Sequence, residues 1–246
     1  MNLILLEPDD VQEGVARIAD RRAEHIREIL SSDPDDTIRV GMVNGATGTA
    51  VVERMGAGEV VLRCEFTDAP PPPPAVDLLL ALPRPRVMKR LWAQLAAIGV
   101  GQIILTNARK VERSYFDSHV VDAETYRPLL IEGLQQAQAT WLPEVSIHRR
   151  FKVLVEDDLG AIMGHSRVLL AAHPEATQRI APVVRARAGN GVLLAVGSEG
   201  GWTEYELDLL QAHGFQAITM GPRTLRTDTA CIALLALVHE ALFRTP

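Results

Sequence analysis

Residues Gly191 to Leu207 read G-V-L-L-A-V-G-S-E-G-G-W-T-E-Y-E-L, and the fold can be worked outward from them. Val192 to Val196 is a continuous apolar run between glycines, the pattern of a strand buried on both faces of a parallel sheet. The run ends at Gly197, Gly200 and Gly201. Glycines there permit a tight turn and let a ligand reach main-chain N–H groups that a Cβ would shield. A helix is expected directly afterwards, because Thr203 and Glu206 have the T-x-x-E spacing of a capping box and Glu204 adds negative charge to the first turn. Strand, turn and helix in this order form the edge of an open α/β sheet at which ligands bind. An αβ connection that binds nothing would read the same way. The stretch lacks the Lys-Ser or Lys-Thr pair of a P-loop and the G-x-G-x-x-G order of a dinucleotide site.

A second stretch, Met220-Gly-Pro-Arg-Thr-Leu-Arg-Thr-Asp-Thr-Ala230, lies between a strand-like run and a long apolar helix. A third turn, His173-Pro174-Glu175, follows the apolar run Ser166 to Ala172. Three turns at strand ends can line one pocket, rich in backbone donors and poor in nucleophiles. No G-x-S-x-G elbow, H-E-x-x-H pair or cysteine with a base partner is present. Such a pocket suits chemistry whose reactive group arrives on a cofactor.

Alternating strands and helices fill residues 75–246. Strands are expected over Asp77 to Leu82, Gln102 to Leu105, Ser166 to Ala172, Val192 to Val196 and Gln216 to Met220, with helices over Val87 to Ile98, Ala123 to Thr140, Arg179 to Arg187 and Glu204 to His213. The last helix, Asp228 to Phe243, has Thr227 or Asp228 as its expected N-cap, and its middle is apolar on nearly every face. Burial in a dimer interface or in the core would account for that. Pro70 to Pro74 is an unbroken proline run, read as a stiff linker at residues 70–74. Before it, residues 1–69 read as a small β-rich domain with one helix, Arg21 to Leu30, and hairpin punctuation at Asn44-Gly45, Gly48 and Gly56 to Gly58. A small barrel of this kind can present a groove to nucleic acid.

The 246 residues carry a net charge of −6, which argues against wholesale nucleic-acid binding. The acidic excess, however, sits in the first seventy residues, and basic clusters follow at Arg84/Arg86/Lys89/Arg90, Arg109/Lys110/Arg113 and Arg149/Arg150/Lys152. No signal-peptide pattern or membrane-length apolar run is seen, so a cytoplasmic location is expected. Cys64 and Cys231 have no partners at metal-ligand spacing and read as buried thiols, with no metal site.

The pair G-S-E-G-G-W-T-E-Y-E-L (Gly197 to Leu207) and G-P-R-T-L-R-T-D-T-A (Gly221 to Ala230) resembles the G-P-E-G-G-F-S/T-x-x-E and L-G-x-x-I-L-R-x-E-T-A signatures of the bacterial 16S rRNA uridine-N3 methyltransferase family, called RsmE, of the SPOUT superfamily. Arg21 to Leu30, Leu95 to Val100 and Gln135 to Val145 resemble further family segments. The resemblance implies a PUA-like RNA-binding β-barrel domain followed by an α/β SPOUT methyltransferase domain with a parallel sheet and a deep trefoil knot. It also implies S-adenosylmethionine as cofactor and 16S rRNA, within the small ribosomal subunit, as substrate. A homodimer through the C-terminal domain is implied as well. By carry-over, Ala172, His173, Gly197, Ser198, Glu199, Gly200, Gly201, Met220, Gly221, Leu225, Arg226 and Thr229 would hold the cofactor, and Arg226 would act on the substrate base. Arg21, Arg22, Arg86, Lys89, Arg109 and Arg113 are the expected RNA contacts. The chain departs from the pattern at Ser198 (usually proline), Asp228 (usually glutamate), Ala96-Ala97 and Gln136-Ala137, the last two pairs being positions expected to face RNA. Another SPOUT enzyme acting on a ribose 2′-oxygen, or a non-catalytic RNA-binding assembly protein, would share most of these features.

Overall fold

The computed structural model describes residues 3–56, 58–163, 167–186 and 191–243. The chain divides into two compact units, Met1–Pro73 with Ile131–Leu142, and Pro74–Leu130 with Pro143–Pro246.

The first unit holds β1 (Ile4–Leu6), β2 (Val11–Gln12), β3 (Val15–Ile18), α1 (Arg21–Glu28), β4 (Thr37–Met42), β5 (Thr47–Met55) and β6 (Val60–Phe66). They form one curled sheet in the order β1-β4-β5-β6-β3-β2, antiparallel except for the β1–β4 pair. Side chains alternate between faces with the period of two of a pleated strand, so Ala50 and Val52 point inward along β5. They meet Ile4, Leu6, Ile18, Val40 and Leu62, with Ile26 of α1, in a single apolar core. α1 starts at Asp20, whose carboxylate accepts the Arg22 N–H at 2.8 Å, an ordinary N-cap. The Arg22 side chain turns inward, with Nη2 3.0 Å from Asp10 Oδ1 and 2.8 Å from Asp20 Oδ2 and Nη1 2.9 Å from the Leu5 carbonyl. These partners, acting against its burial, hold its pKa above the ordinary arginine value. Arg22 therefore braces the barrel, whereas the neighbouring Arg21 is exposed. Residues 131–142 join this unit through backbone: Asn44 N donates to Thr140 O at 2.8 Å and Leu142 N to Asn44 Oδ1 at 2.7 Å.

The second unit contains β7 (Val76–Ala81), α2 (Pro85–Ile98), β8 (Gln102–Thr106), α3 (Ala123–Ala137, whose last turns belong to the first unit) and β9 (Glu144–His148). A helical run follows, α4 (Phe151–Val153), a π turn over Leu154–Asp158 and α5 (Leu159–Met163). Then come β10 (Arg167–Ala172), β11 (Gln178–Arg179), α6 (Ile180–Arg185), β12 (Gly191–Val196), α7 (Glu204–Ala212), β13 (Gln216–Thr219) and α8 (Thr227–Leu242). The sheet order is β11-β13-β10-β12-β7-β8-β9, and every neighbouring pair is parallel. All seven strands consequently end on one edge. The continuous apolar runs correspond to the central strands: every residue of β7 is buried, and so is all of β12 after Gly191. Ser166 and Arg187, the expected limits of a strand and a helix, lie outside the described residues.

One buried charge interrupts this apolar sheet. Asp77 in β7 accepts the Gln102 N–H on Oδ1 at 2.9 Å, while Oδ2 has no hydrogen bond and relies on the Arg167 guanidinium 2.9 Å away. Burial raises its pKa above the ordinary carboxylate value, with Arg167 pulling the other way. Burial likewise pushes the Cys64 thiol up to about 11 and Cys231 up to about 12, and both are free.

Two details of the helices differ from the sequence reading. α8 begins one residue earlier than expected, so Arg226 occupies the N-cap and makes no side-chain cap bond. Asp228 falls inside the first turn and is drawn instead to Arg90 Nη2 at 2.8 Å and the Thr229 N–H at 3.0 Å. Nor is α8 covered on every side. Cys231, Leu234, Leu235 and Val238 are buried, but Leu237 is 41% exposed and Phe243, just past the helix end, 84%. In α2, left-handed Gly99 ends the helix as expected, and Ala96 is only 1% exposed. Ala96 cannot face RNA, since its position on the helix turns it into the core; Ala97 beside it is exposed.

Candidate active site

Because the sheet is parallel, the three turns singled out in the sequence leave the same edge, from β10, β12 and β13, which are adjacent strands in the order β13-β10-β12. They converge on one pocket, open to solvent at its mouth. Ala172, His173 and Pro174 line it from the first turn, Gly197, Ser198, Glu199 and Gly201 from the second, and Met220, Gly221 and Leu225 from the third. Its apolar lining includes Val196, Ile218, Ala230 and Leu234, while Thr219, Thr224 and Thr227 add hydroxyl-bearing side chains.

Each turn is fixed by its own bonds. His173 N donates to the Ile218 carbonyl at 3.0 Å, joining the first turn to β13. In the second, Gly201 N donates to Ser198 O at 2.8 Å, and Gly201 has the positive φ of 66° that favours glycine. A Cβ on Gly197 would lie 3.0 Å from both the Gly201 backbone and the Trp202 nitrogen, so any larger residue would crowd the turn. In the third, the Thr219 hydroxyl is 3.2 Å from Gly221 N, and Gly221 has φ 142°.

The expected capping box is present: Thr203 N and Oγ1 both donate to Glu206 Oε2 at 2.8 Å, and Glu206 N donates back to Thr203 Oγ1 at 3.3 Å. Buried Glu206 does more than cap, for its Oε1 also accepts the Arg109 N–H at 2.7 Å and so ties α7 to the loop after β8. Glu199 Oε1 accepts the Arg84 N–H at 3.1 Å, which holds the glycine turn to the start of α2.

Not every expected cofactor residue lines the pocket. Gly200 instead lies under Lys110, whose Nζ donates to the Gly200 carbonyl at 2.7 Å; a Cβ there would come 2.7 Å from the lysine stem. Thr229 is exposed on the first turn of α8. Arg226 stands beside the lining residues Leu225 and Thr227 with its side chain 71% exposed, 3.4 Å from Asp228 Oδ2. Of the expected RNA contacts in this unit, Arg86 and Lys89 are exposed on α2, and Arg109 and Arg113 line a separate cleft. Arg223, Thr224 and Thr227 belong to the quoted stretch Met220 to Ala230, though not singled out within it as cofactor residues, and Thr219 directly precedes it. Leu234 had no local signal and reaches the pocket as α8 packs against β12 and β7.

The lining fits S-adenosylmethionine. Apolar side chains suit an adenine ring, and turn backbone with threonine hydroxyls suits ribose and amino-acid groups. At Gly201 and Gly221 an added Cβ would meet no protein atom within 4 Å, so the space in front of both turns is open. Among the described residues, no cluster of side chains suited to a metal ion is present.

Comparison with known proteins agrees. Residues 70–239 match the family model for the RNA methyltransferase domain. Ribosomal RNA small subunit methyltransferase E of Treponema pallidum is 32% identical over 246 residues, covering 97% of this chain and 90% of that protein. Ribosomal RNA small subunit methyltransferase E 1 of Borreliella burgdorferi is 27% identical over 98% of this chain and 99% of its own length. Among solved structures, ribosomal RNA small subunit methyltransferase E from Neisseria gonorrhoeae, crystallised with S-adenosyl methionine, superposes with TM-score 0.80 at 20% identity over 98% of this chain and 97% of that one. That likeness shows the fold, a barrel-like, mostly antiparallel sheet joined in sequence to a parallel α/β sheet. The turns at the sheet edge, the matched domain and the near-full-length relatives together place this chain in the RNA methyltransferase domain family, among the ribosomal RNA small subunit methyltransferase E proteins.

Proposed function

We propose that the protein transfers a methyl group from S-adenosylmethionine to N3 of a uridine in the 16S RNA of the small ribosomal subunit. The observation that carries the reading is the convergence of three strand-end turns, two of them glycine-bearing, on one pocket in whose lining no nucleophile is hydrogen-bonded to a base. S-adenosylmethionine supplies an electrophilic methyl carbon, which leaves the protein to bind, orient and stabilise charge. Arg226, exposed next to the pocket residues Leu225 and Thr227, is placed to face the substrate base. Uracil N3 must lose its proton to react, and negative charge then spreads onto the ring carbonyl oxygens. A guanidinium stabilises that charge as an oxyanion-hole donor does. N3 lies on the pairing edge, so the base must arrive unpaired or flipped. Glu199, engaged with the Arg84 N–H, holds the turn.

The reading extends to the rest of the chain. Residues 1–69 serve as a PUA-like RNA-binding module, 70–74 as the linker and 75–246 as the SPOUT domain, with the trefoil threading of that superfamily. The strip of α8 that leaves Leu237 exposed, with Phe243 beyond it, is the proposed homodimer face. Sedimentation should give twice the chain mass, falling to one chain in Leu237→Asp; a monomeric wild type would remove the dimer. A cytoplasmic location is part of the same reading. Calorimetric titration tests the pocket itself: S-adenosylmethionine should bind in the micromolar range while ATP and NAD do not. Absence of binding both with and without RNA would overturn the reading.

A further inference from the structure

A second cleft in the same unit shares no lining residue with the cofactor pocket. It is bordered by the loop after β8, the start of the helical run after β9 and the first turn of α7. Five cations line it, Arg109, Arg113, Arg149, Arg150 and Lys152, and all five are exposed. They come from two clusters well separated in sequence. Parallel pairing of β8 with β9 sets Thr106 beside His148, so the loops that follow both strands leave the sheet together. Glu206 is the carboxylate in the lining, and its oxygens are spent on Arg109 N, Thr203 N and Thr203 Oγ1. Among the described residues, no acidic group lies within ion-pair distance of Arg109, Arg113 or Arg150. Arg149 is steadied by Asp117 at 3.1 Å and the Phe116 carbonyl at 2.7 Å, and Lys152 only loosely by Glu156 at 3.7 Å. Beside these cations stands Tyr205, 58% exposed, an aromatic ring that the fold does not bury.

Concentrated positive charge in a chain of net charge −6, next to a free aromatic face, has the composition of a groove for single-stranded nucleic acid. We infer that this cleft is the docking track for an unpaired stretch of the RNA substrate, with phosphates held by Arg109, Arg113, Arg150 and Lys152 and one base stacked on Tyr205. The inference rests on the RNA methyltransferase reading and adds Arg150, Lys152 and Tyr205 to the RNA contacts. Its position fits that reading. Thr203 and Glu206, in the cleft wall, directly follow the glycine turn of the cofactor pocket, and Lys110 from the cleft's loop is bonded to Gly200 of that turn. A strand in the track runs against the turn that walls the pocket, as delivery of a flipped base requires.

The test is binding of a short fluorescein-labelled oligouridylate to the full-length chain across a salt series, with S-adenosylmethionine titrated in parallel. Arg109→Gln/Arg113→Gln/Arg150→Gln should bind the RNA far more weakly and lower the slope of log K against log salt by about 2, since each phosphate contact on a single strand contributes about 0.7. Tyr205→Ala should weaken binding by about tenfold at an unchanged salt slope, and Tyr205→Phe should bind as wild type, because stacking needs the ring and not the hydroxyl. Wild-type affinity and slope in the triple variant would overturn the track. Equal loss in both Tyr205 variants, or tighter binding of a duplex of the same length, would overturn the single-stranded, stacked mode. S-adenosylmethionine affinity separates the two readings. If wild type binds RNA through the cleft but never the cofactor, the methyltransferase reading fails and the track stands; if it binds the cofactor and the triple variant binds RNA normally, only the track fails.

Discussion

Arg226→Ala is expected to slow methyl transfer by about 10²–10³-fold, the usual cost of removing one preorganised donor to developing negative charge, while the dissociation constant for S-adenosylmethionine stays nearly unchanged. The separation follows from where Arg226 sits. Its side chain is 71% exposed and it is absent from the pocket lining, so it contributes little to holding the cofactor. Its backbone, in contrast, fixes the start of α8, with Ala230 N donating to Arg226 O at 2.7 Å, a bond that alanine keeps. The tether to Asp228 predicts the companion result. Asp228→Asn, which weakens that tether and the stronger one to Arg90, should lower turnover less than Arg226→Ala does. Normal turnover in Arg226→Ala, measured with labelled cofactor and small ribosomal subunits, would remove this residue from the mechanism.

The second large effect is on stability. Arg167→Ala should destabilise the protein by about 3 kcal/mol near neutral pH, because removing one partner of a buried ion pair strands the other charge. Asp77 lies inside β7 in the middle of the parallel sheet, and Arg167 is what opposes its Oδ2. Burial already raises the Asp77 pKa, and loss of Arg167 must raise it further. A carboxyl whose folded pKa lies above its unfolded value stabilises the fold fully below the unfolded value, and this contribution is lost as pH rises through the folded pKa. The deficit of Arg167→Ala against wild type should therefore be smallest below about pH 4 and grow toward neutrality. Asp77→Asn in the Arg167→Ala background should restore much of the loss. Chemical denaturation of the three proteins at acid and neutral pH checks this, and a deficit independent of pH would contradict it.

The features of the fold legible in sequence were those whose signal is local. Val192 to Val196 and Asp77 to Leu82 are apolar at nearly every position because both faces of a parallel strand are covered, and Thr203 with Glu206 marks a helix start by spacing alone. Strands β1, β2, β9 and β11 gave no such signal. β1, β2 and β11 are two or three residues long, too short for a period to show, and edge strands such as β2, β9 and β11 bury one side at most. The pocket was legible because its turns flank strands that were themselves legible, and parallel order alone brings their ends together. What sequence could not supply was direction. Arg22 and Arg21 look alike in the chain, yet one is folded into the barrel by Asp10 and Asp20 and the other faces solvent. Gly200 belongs to the glycine turn but meets Lys110 instead of the cavity. Arg150 and Lys152 come beside Arg109 through the β8–β9 pairing, and Tyr205 through the bond from Arg109 N to Glu206 of α7, contacts between segments that no local pattern joins.

The measurement that bears most directly on the account is nucleoside analysis after incubating the full-length chain with methyl-labelled S-adenosylmethionine and small ribosomal subunits that lack the modification. The label should appear in 16S RNA, and after digestion to nucleosides it should run with 3-methyluridine. Label in a 2′-O-methylated nucleoside would contradict the assigned atom and with it the role given to Arg226, and no transfer by a protein that binds the cofactor would contradict the enzyme itself.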